Sequence, residues 1–112
     1  MRRLADAHQL RLRFFAGLLL GLRVAWPILS GVVGLMIVLG LAIGRLEGWR
    51  VADAIYFAFV TGLTIGYGDL VPTTLLGRAL AIVIGLCGIT LTGLVAAIAV
   101  KAFTAMNDDE RS

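Results

Sequence analysis

The sequence predicts an all-α membrane protein with two transmembrane helices and, between them, a re-entrant half-helix that leads into an irregular loop. Apolar residues make up 60% of the 112 residues and charged residues only 15%, a composition too apolar for a soluble domain of this size. Residues 24–44 and 79–100 contain no charged side chain, and each is long enough to cross about 30 Å of hydrocarbon as a helix. A glycine-containing segment, residues 61–69 (TGLTIGYGD), lies between them.

The first transmembrane helix is predicted over residues 24–44. Trp26 suits the membrane–water interface, and Pro27 is tolerated in the first turn of a helix. The preceding segment, residues 1–23, is expected to form an amphipathic helix along the inner leaflet, with arginines that bind anionic lipid headgroups. Those arginines are Arg2, Arg3, Arg11, Arg13 and Arg23.

Two other interpretations of the N-terminal segment stay open. A basic tail that becomes helical only near Phe14 explains the same composition. A cleaved secretory signal is less well supported, because no small-residue cleavage site follows the apolar stretch and Arg23 leads directly into the next one.

The distribution of basic residues predicts that both termini are cytoplasmic, in a plasma (inner) membrane. Two spans place both ends of the chain on one side. Seven of the ten basic residues lie in the terminal segments and three lie in the region that connects the spans, and the cytoplasmic side is the more basic one. The net charge of +3 is therefore interpreted as a topology signal, and no nucleic-acid partner is expected.

Residues 51–63 are apolar and rich in aromatic side chains, but as a helix they are only about 20 Å long. A segment of this length at membrane depth is typical of a re-entrant half-helix. Asp53 lies in its first turn, where an acid is favourable, so the C-terminal end directs partial negative charge toward the middle of the membrane. The second transmembrane helix is predicted over residues 79–106, followed by a short charged cytoplasmic tail, residues 107–112.

Residues 64–69 (TIGYGD) predict a lining of backbone carbonyls. Irregular backbone at membrane depth is tolerated only where it is buried in protein or lines an aqueous path. Gly66 and Gly68 adopt positive φ at little cost, which lets successive carbonyls point the same way. Such carbonyls, with the Thr64 hydroxyl, can replace the water shell of a cation. The segment is therefore interpreted as part of an ion-conducting pore.

The pattern T-x-x-T-x-G-Y-G-D at residues 61–69, placed between two spans, resembles the pore domain of potassium channels. It is most similar to the prokaryotic pore-only type with two transmembrane helices. Residues 68–72 (GDLVP), 77–78 (GR) and 88–94 (GITLTGL) match that group in order and spacing. The resemblance covers roughly residues 26–103, and several motifs nested in one order are far more specific than a single GYG.

The resemblance implies a four-fold symmetric homotetramer in which residues 24–106 form the pore domain. Residues 51–63 are then the pore helix, residues 64–69 the selectivity filter, and the flanking spans the outer and inner helices. K⁺ ions are expected to bind in the filter. The residues implied to hold them are Thr64, Ile65, Gly66 and Tyr67, with Gly68 completing the filter.

The resemblance also assigns roles along the inner helix. Gly88 matches the hinge glycine of the family, although close helix packing explains a glycine there equally well. Three residues are implied to line the water-filled cavity, namely Ile89, Thr92 and Ala96. Two more, Val100 and Phe103, are implied to approach the cytoplasmic constriction.

The sequence departs from the family pattern near the filter. Leu63 stands where many members have a threonine before Thr64. Val60 stands where some relatives have a glutamate that pairs with the aspartate of the outer mouth. Asp69 therefore needs another partner, and Tyr56 is the candidate. The Tyr67 ring is expected to pack against the aromatic side chains of the half-helix, which are Tyr56, Phe57 and Phe59.

Passive, K⁺-selective conduction is the function that these residues favour. A non-selective cation channel and a small structural membrane protein are the alternatives. An enzyme is not expected, because the sequence shows no nucleophile–base pair and no metal-ligand cluster. The single cysteine, Cys87, is interpreted as a small packing residue.

Overall fold

The chain folds into three helices, with no strand in the part that the structure describes. A computed structural model describes the backbone of residues 2–111 and the side chains of residues 6–104. The helices are α1 (Arg2–Glu47), α2 (Val51–Gly62) and α3 (Leu75–Arg111). Two of them contain stretches long and apolar enough to cross a membrane, Asp6–Glu47 in α1 and Leu75–Thr104 in α3. The predicted all-α fold, with two long apolar helices around a short one, is confirmed.

The first helix is longer than predicted, because the described part of the expected interfacial segment (residues 1–23) and the expected outer helix (residues 24–44) form one element. Pro27 lies inside this helix and not in its first turn. Proline has no N–H to donate to the preceding turn, but transmembrane helices tolerate it because neighbouring groups satisfy the freed backbone. Contact of this segment with a membrane surface remains a prediction, and the side chains of Arg2 and Arg3 lie outside the described range.

The end of α1 is set by a glycine in the left-handed region. Gly48 has a φ of 74°, and the N–H of Trp49 donates to the Gly44 carbonyl at 2.8 Å. This arrangement is a Schellman cap, which satisfies a carbonyl that would otherwise be left unpaired at the end of the helix. The cap turns the chain directly into α2.

The short helix lies close to its predicted position, and the last helix is longer than expected. α2 covers Val51–Gly62, one residue less than the predicted 51–63, because Leu63 is its C-cap. α3 begins at Leu75, four residues before the predicted start, and continues to Arg111 through the expected tail. The early start has a local cause: the Thr74 hydroxyl accepts a hydrogen bond from the Gly77 N–H at 3.1 Å, as an N-cap residue does.

Residues 28–92 form one compact unit that contains the irregular loop. Its fully buried core includes Met36 and Ile43 of α1, Phe57 and Ala58 of α2, and Ile84 of α3. Small residues let α1 approach α2 closely. A Cβ added to Gly40 would lie 2.7 Å from the Ala58 Cβ, and one added to Gly44 would lie 2.7 Å from the Ala54 Cβ. α1 and α3 therefore hold α2, which supports the loop, in place.

A second unit comprises the described residues among 1–27 and 93–112. Here, too, glycines mark where α1 meets α3. A Cβ on Gly17 would lie 3.4 Å from the Ala102 Cβ, and one on Gly21 would lie 2.6 Å from the Ile98 Cγ2. Apolar side chains such as Phe15 and Leu19 are exposed on this unit, so its surface is suited to an apolar environment.

Candidate functional site

The loop after α2 has a positive φ at every second residue. The φ values are 61° at Thr64, 60° at Gly66 and 81° at Gly68, whereas Ile65 and Tyr67 have none in the positive range. The two glycines were expected to adopt this conformation. Thr64 was not, because a β-branched residue with positive φ is an outlier. Such a residue costs about 1–3 kcal/mol and persists only where its surroundings enforce it.

The amides at the start of the loop bond back to the end of α2. The N–H groups of Ile65 and Gly66 donate to the Val60 carbonyl at 2.9 and 3.3 Å, and that of Thr64 donates to the Thr61 carbonyl at 3.1 Å. The loop has no cis peptide bond, so each of its carbonyls points opposite to the N–H of its own peptide group. The carbonyls of Thr64 and Ile65 therefore point away from α2.

The loop carbonyls lack partners of their own. Within the part of the chain that the structure describes, no carbonyl of residues 64–67 accepts a hydrogen bond. The Thr64 hydroxyl donates to the Leu63 carbonyl at 2.6 Å, so its proton is used and its oxygen lone pairs remain available. A Cβ on Gly66 or Gly68 would meet nothing within 4 Å. Since unpaired carbonyls are costly in an apolar environment, this row needs water or a cation.

Val60 supports the loop through its backbone. Sequence analysis singled it out as a position where some relatives have an acidic side chain. In the structure the Val60 side chain is buried, and its carbonyl accepts the two loop amides described above. The amide positions at the inner end of the loop are thus set by main-chain atoms of α2, which no side-chain pattern reveals.

A cavity of about 260 Å³ lies between α2 and the outer part of the loop. The Tyr56 side chain lies within hydrogen-bonding reach of the Asp69 carboxylate, the pair that sequence analysis suggested. The Asp69 carboxylate also accepts the N–H of Leu70 at 3.1 Å. The cavity is lined by Tyr56, Phe57, Val60, Thr61, Gly66, Tyr67, Gly68, Asp69, Leu70, Val71 and Pro72.

The expected ring packing of Tyr67 is not formed within one chain. Among the described residues, Phe57 pairs edge-on with Trp49, with ring centroids 5.0 Å apart and an interplanar angle of 61°. Tyr67 lines the same cavity as Tyr56 and Phe57, but its side chain is 69% exposed. Trp49 follows the end of α1, and the Schellman cap there directs its ring toward Phe57 of α2.

Glu47 is a residue of this region that sequence analysis missed. Its carboxylate accepts four hydrogen bonds from Thr73 and Thr74, at 2.8–2.9 Å. A signal was present in the sequence, since an acid in the last turn of a helix is opposed by the helix dipole. A locally unfavourable acid of this kind indicates a partner elsewhere in the chain.

The inner-helix residues singled out by the sequence share one face of α3. Ile89, Val100 and Phe103 are among its exposed large apolar side chains, and Thr92 and Ala96 are also exposed. Intervals of three and four residues place all five on the same side of a helix. Their assignment to a water-filled cavity and a constriction remains a prediction.

Gly88 is a close-packing residue. It is buried, and a Cβ added to it would collide with the carbonyl oxygen of Gly62 at the end of α2. α3 therefore packs backbone against backbone on the helix that supports the loop. Of the two interpretations that the sequence left open, packing is observed directly, and hinge bending at Gly88 stays a prediction.

Comparison with known proteins gives one family. The profile of a family described as Ion channel matches residues 23–105, most of the chain. This range includes α2 and the complete loop after it.

Individual relatives match shorter segments. A protein of Rhodopseudomonas palustris, whose name assigns it provisionally to the potassium channels, is 43% identical over 54 residues, 48% of this chain. A voltage-gated potassium channel of Aeropyrum pernix is 48% identical over 40 residues, or 36% of this chain. Two-pore potassium channel 1 of Arabidopsis thaliana is 49% identical over 43 residues, or 38% of this chain. The matches span only 13%, 14% and 12% of these relatives.

Proposed function

The chain belongs to the ion channel family, and we propose that it forms a passive, K⁺-selective pore as a homotetramer. One observation carries this proposal. The carbonyls of residues 64–67 accept no hydrogen bond within the described part of the chain, while the amides of Ile65 and Gly66 are fixed to α2. A row of fixed, unpaired oxygens is suited to bind a cation that has lost its water.

The geometry of coordination supports a homotetramer. One chain presents its carbonyls from one side only, whereas a desolvated K⁺ ion needs oxygens all around it. Four copies around one axis supply rings of carbonyls at successive levels, as selectivity filters do. The Thr64 hydroxyl oxygen adds a ring at the inner end, and Asp69 adds negative charge at the outer mouth.

The helices complete the proposed path. The C-terminal end of α2 carries partial negative charge and lies directly before the loop, where it favours a cation. The exposed face of α3 that holds Ile89, Thr92 and Ala96 would line the cavity, and Val100 and Phe103 would form the narrower cytoplasmic end. Neighbouring chains and lipid would cover the remaining apolar side chains that are exposed on one chain.

K⁺ selectivity is the finer part of the proposal. The uninterrupted G-Y-G of residues 66–68 and the names of the relatives, several of which are potassium channels, support it. A non-selective pore and a structural membrane protein remain the competing functions. The first predicts ion flux without a preference for K⁺, and the second predicts no flux through residues 64–68.

We place the pore in the plasma membrane with both termini cytoplasmic. In the N-terminal half of α1, Arg11, Arg13 and Arg23 are exposed, in the same stretch as the exposed apolar side chains of Phe15 and Leu19. Arginines beside apolar side chains are suited to an anionic lipid surface, which supports lipid contact by this segment.

The test is K⁺ flux from proteoliposomes that contain the purified chain. We expect flux that Ba²⁺ blocks and that Gly66→Asp abolishes, with reversal potentials that show a strong preference for K⁺ over Na⁺. Flux without that preference would support the non-selective pore instead. Equal leakage from wild-type and Gly66→Asp vesicles, insensitive to Ba²⁺, would contradict conduction through residues 64–68.

A further inference from the structure

The Glu47 carboxylate is saturated by donors from the chain just beyond the filter. Oε1 accepts the N–H of Thr73 at 2.9 Å, the N–H of Thr74 at 2.9 Å and the Thr74 hydroxyl at 2.8 Å. Oε2 accepts the Thr73 hydroxyl at 2.8 Å. Hydrogen bonds to an ionised group are the strong ones, so this carboxylate, with its two threonine partners, forms a clamp between the end of α1 and the start of α3.

The negative charge of Glu47 interacts favourably with the dipole of α3 and unfavourably with the dipole of α1. Glu47 is the last residue of α1, where the helix dipole disfavours a negative charge, and it lies at the start of α3, where the dipole favours one. The position of the acid is therefore explained by its contacts across the fold and not by the helix to which it belongs.

The surrounding backbone leaves space for this carboxylate. A Cβ added to Gly77 would lie 2.6 Å from the Thr74 hydroxyl oxygen and 2.9 Å from Glu47 Oε1. The Arg78 Nε–H donates to the Pro72 carbonyl at 3.2 Å, which fixes the residue before Thr73. A side chain at position 77 would thus take the space that the carboxylate uses.

The clamp closes the segment that contains α2 and the filter, residues 48–72. The inner end of the filter is tied to α2 through Thr64, Ile65 and Gly66. Beyond Gly66, residues 67–70 have the local contact between the Leu70 N–H and Asp69 and the approach of the Tyr56 side chain to the Asp69 carboxylate. The next attachments along the chain are the Arg78 contact with the Pro72 carbonyl and the clamp at Thr73, which has the larger number of hydrogen bonds.

We propose that Glu47 is a positioning residue for the selectivity filter, because its carboxylate holds the outer end of the filter loop against α1. The inference rests on the proposed K⁺-selective function. Without the clamp, the outer end of the loop keeps only the Arg78 contact at Pro72 and the approach of Tyr56 to Asp69, and the carbonyls of Gly66 and Tyr67 lose part of their defined direction. The expected consequence is a loss of discrimination between ions, with the helices still folded.

The experiment compares the K⁺/Na⁺ permeability ratio of variants in planar bilayers. We expect Glu47→Ala to lower the ratio by about tenfold, the scale of losing one charge-assisted hydrogen bond. Glu47→Gln retains the oxygen that accepts three of the four hydrogen bonds and should restore most of the ratio. Asp53→Ala removes an acid from the first turn of α2, outside the clamp, and should leave the ratio unchanged.

A second pair of variants covers the case in which Glu47→Ala does not assemble. Thr73→Val keeps the shape of the side chain but removes the hydroxyl that donates to Oε2, and should lower the ratio by about twofold to fivefold. Gly77→Val places a side chain in the space of the carboxylate and should lower the ratio further, whereas Gly85→Val, whose Cβ would meet nothing within 4 Å, should not.

Three results would overturn the inference. One is a Glu47→Ala channel as selective as the wild type. Another is a set of clamp variants that lower only the thermal stability of the assembled protein and leave the permeability ratio intact, since the role is then purely structural. If the wild-type protein itself passes no K⁺, the proposed function fails and the positioning role fails with it.

Discussion

The filter loop and the clamp beside it use their polar groups in opposite ways. Residues 64–67 present carbonyls that accept no hydrogen bond in the described part of the chain. A few residues later, Thr73 and Thr74 give four donors to a single carboxylate. One region keeps its carbonyls free, and the other concentrates four hydrogen bonds on one carboxylate.

The difference shows how the carbonyls of a loop can lack hydrogen-bond partners while the backbone of the loop is held in place. Polar groups inside proteins are normally hydrogen-bonded, and such bonds also fix the backbone. A row of carbonyls without hydrogen-bond partners therefore keeps its direction only if other contacts hold the backbone. Here the amides of Ile65 and Gly66 hold the inner end, and the Glu47 clamp holds the outer end. Variants in the three places should therefore fail differently: filter variants in conduction, clamp variants in discrimination between ions, and variants of the helix packing in stability.

The largest effect is expected from Gly66→Ala in the filter. Gly66 has a φ of 60°, and an L-residue in the left-handed region costs about 1–2 kcal/mol in each chain. In the proposed tetramer each of the four chains would carry one such residue, so we expect K⁺ flux to fall by more than about tenfold, measured in proteoliposomes at equal protein incorporation.

The matched control for this variant is Gly31→Ala in α1. Its added Cβ would meet nothing within 4 Å, and alanine is favoured over glycine in a helix by about 1 kcal/mol. Flux should stay near the wild-type level. If both alanines reduce flux equally, the special role of positive φ in the filter is contradicted.

A substantial loss of stability is expected from Gly88→Ala in the scaffold. The new Cβ would collide with the Gly62 carbonyl oxygen, so the backbone must shift, and overpacking of this kind typically costs about 1–3 kcal/mol. The thermal unfolding midpoint of the purified protein in detergent should fall, while Gly85→Ala, which has open space around its Cβ, should not lower it. An unchanged midpoint with altered open probability would instead favour the hinge interpretation.

The smallest effect is expected from Tyr56→Phe at the outer mouth. The variant removes only the hydroxyl that lies within reach of Asp69, and a single hydrogen bond contributes about 0.5–1.5 kcal/mol. We expect a modest decrease in single-channel K⁺ current. A double-mutant cycle with Asp69→Asn checks the cause, since the tyrosine substitution should have no further effect once the carboxylate is gone. Additive effects would show that the two side chains act independently.

Local signals located α2 and the irregular loop after it well. The apolar, aromatic run of residues 51–63 is short and bounded by a turn on one side and a glycine-rich motif on the other, so its limits could be read to within one residue. The positive φ of Gly66 and Gly68 was predictable because only glycine adopts that conformation freely. The positive φ of Thr64 was not, because it depends on the hydrogen bonds that the following amides make to Val60.

The long helices were harder to delimit. Arg23 and Pro27 are locally typical of a helix boundary, and Arg78 of a loop, yet α1 and α3 pass through all three. Arginine is a good helix former, so it limits the apolar stretch and not the helix. A proline ends a helix only when no other group satisfies the freed backbone, and that depends on its surroundings.

By itself, the sequence determined that two long apolar helices enclose a short one and a glycine-rich loop, because hydropathy and glycine spacing are properties of consecutive residues. It also determined the family, since the motifs are local. Only the tertiary structure decided that Glu47 reaches Thr73 and Thr74 and that Gly88 packs against Gly62. These contacts join residues 26 or 27 positions apart, and no local pattern specifies which distant partners will meet when the helices pack.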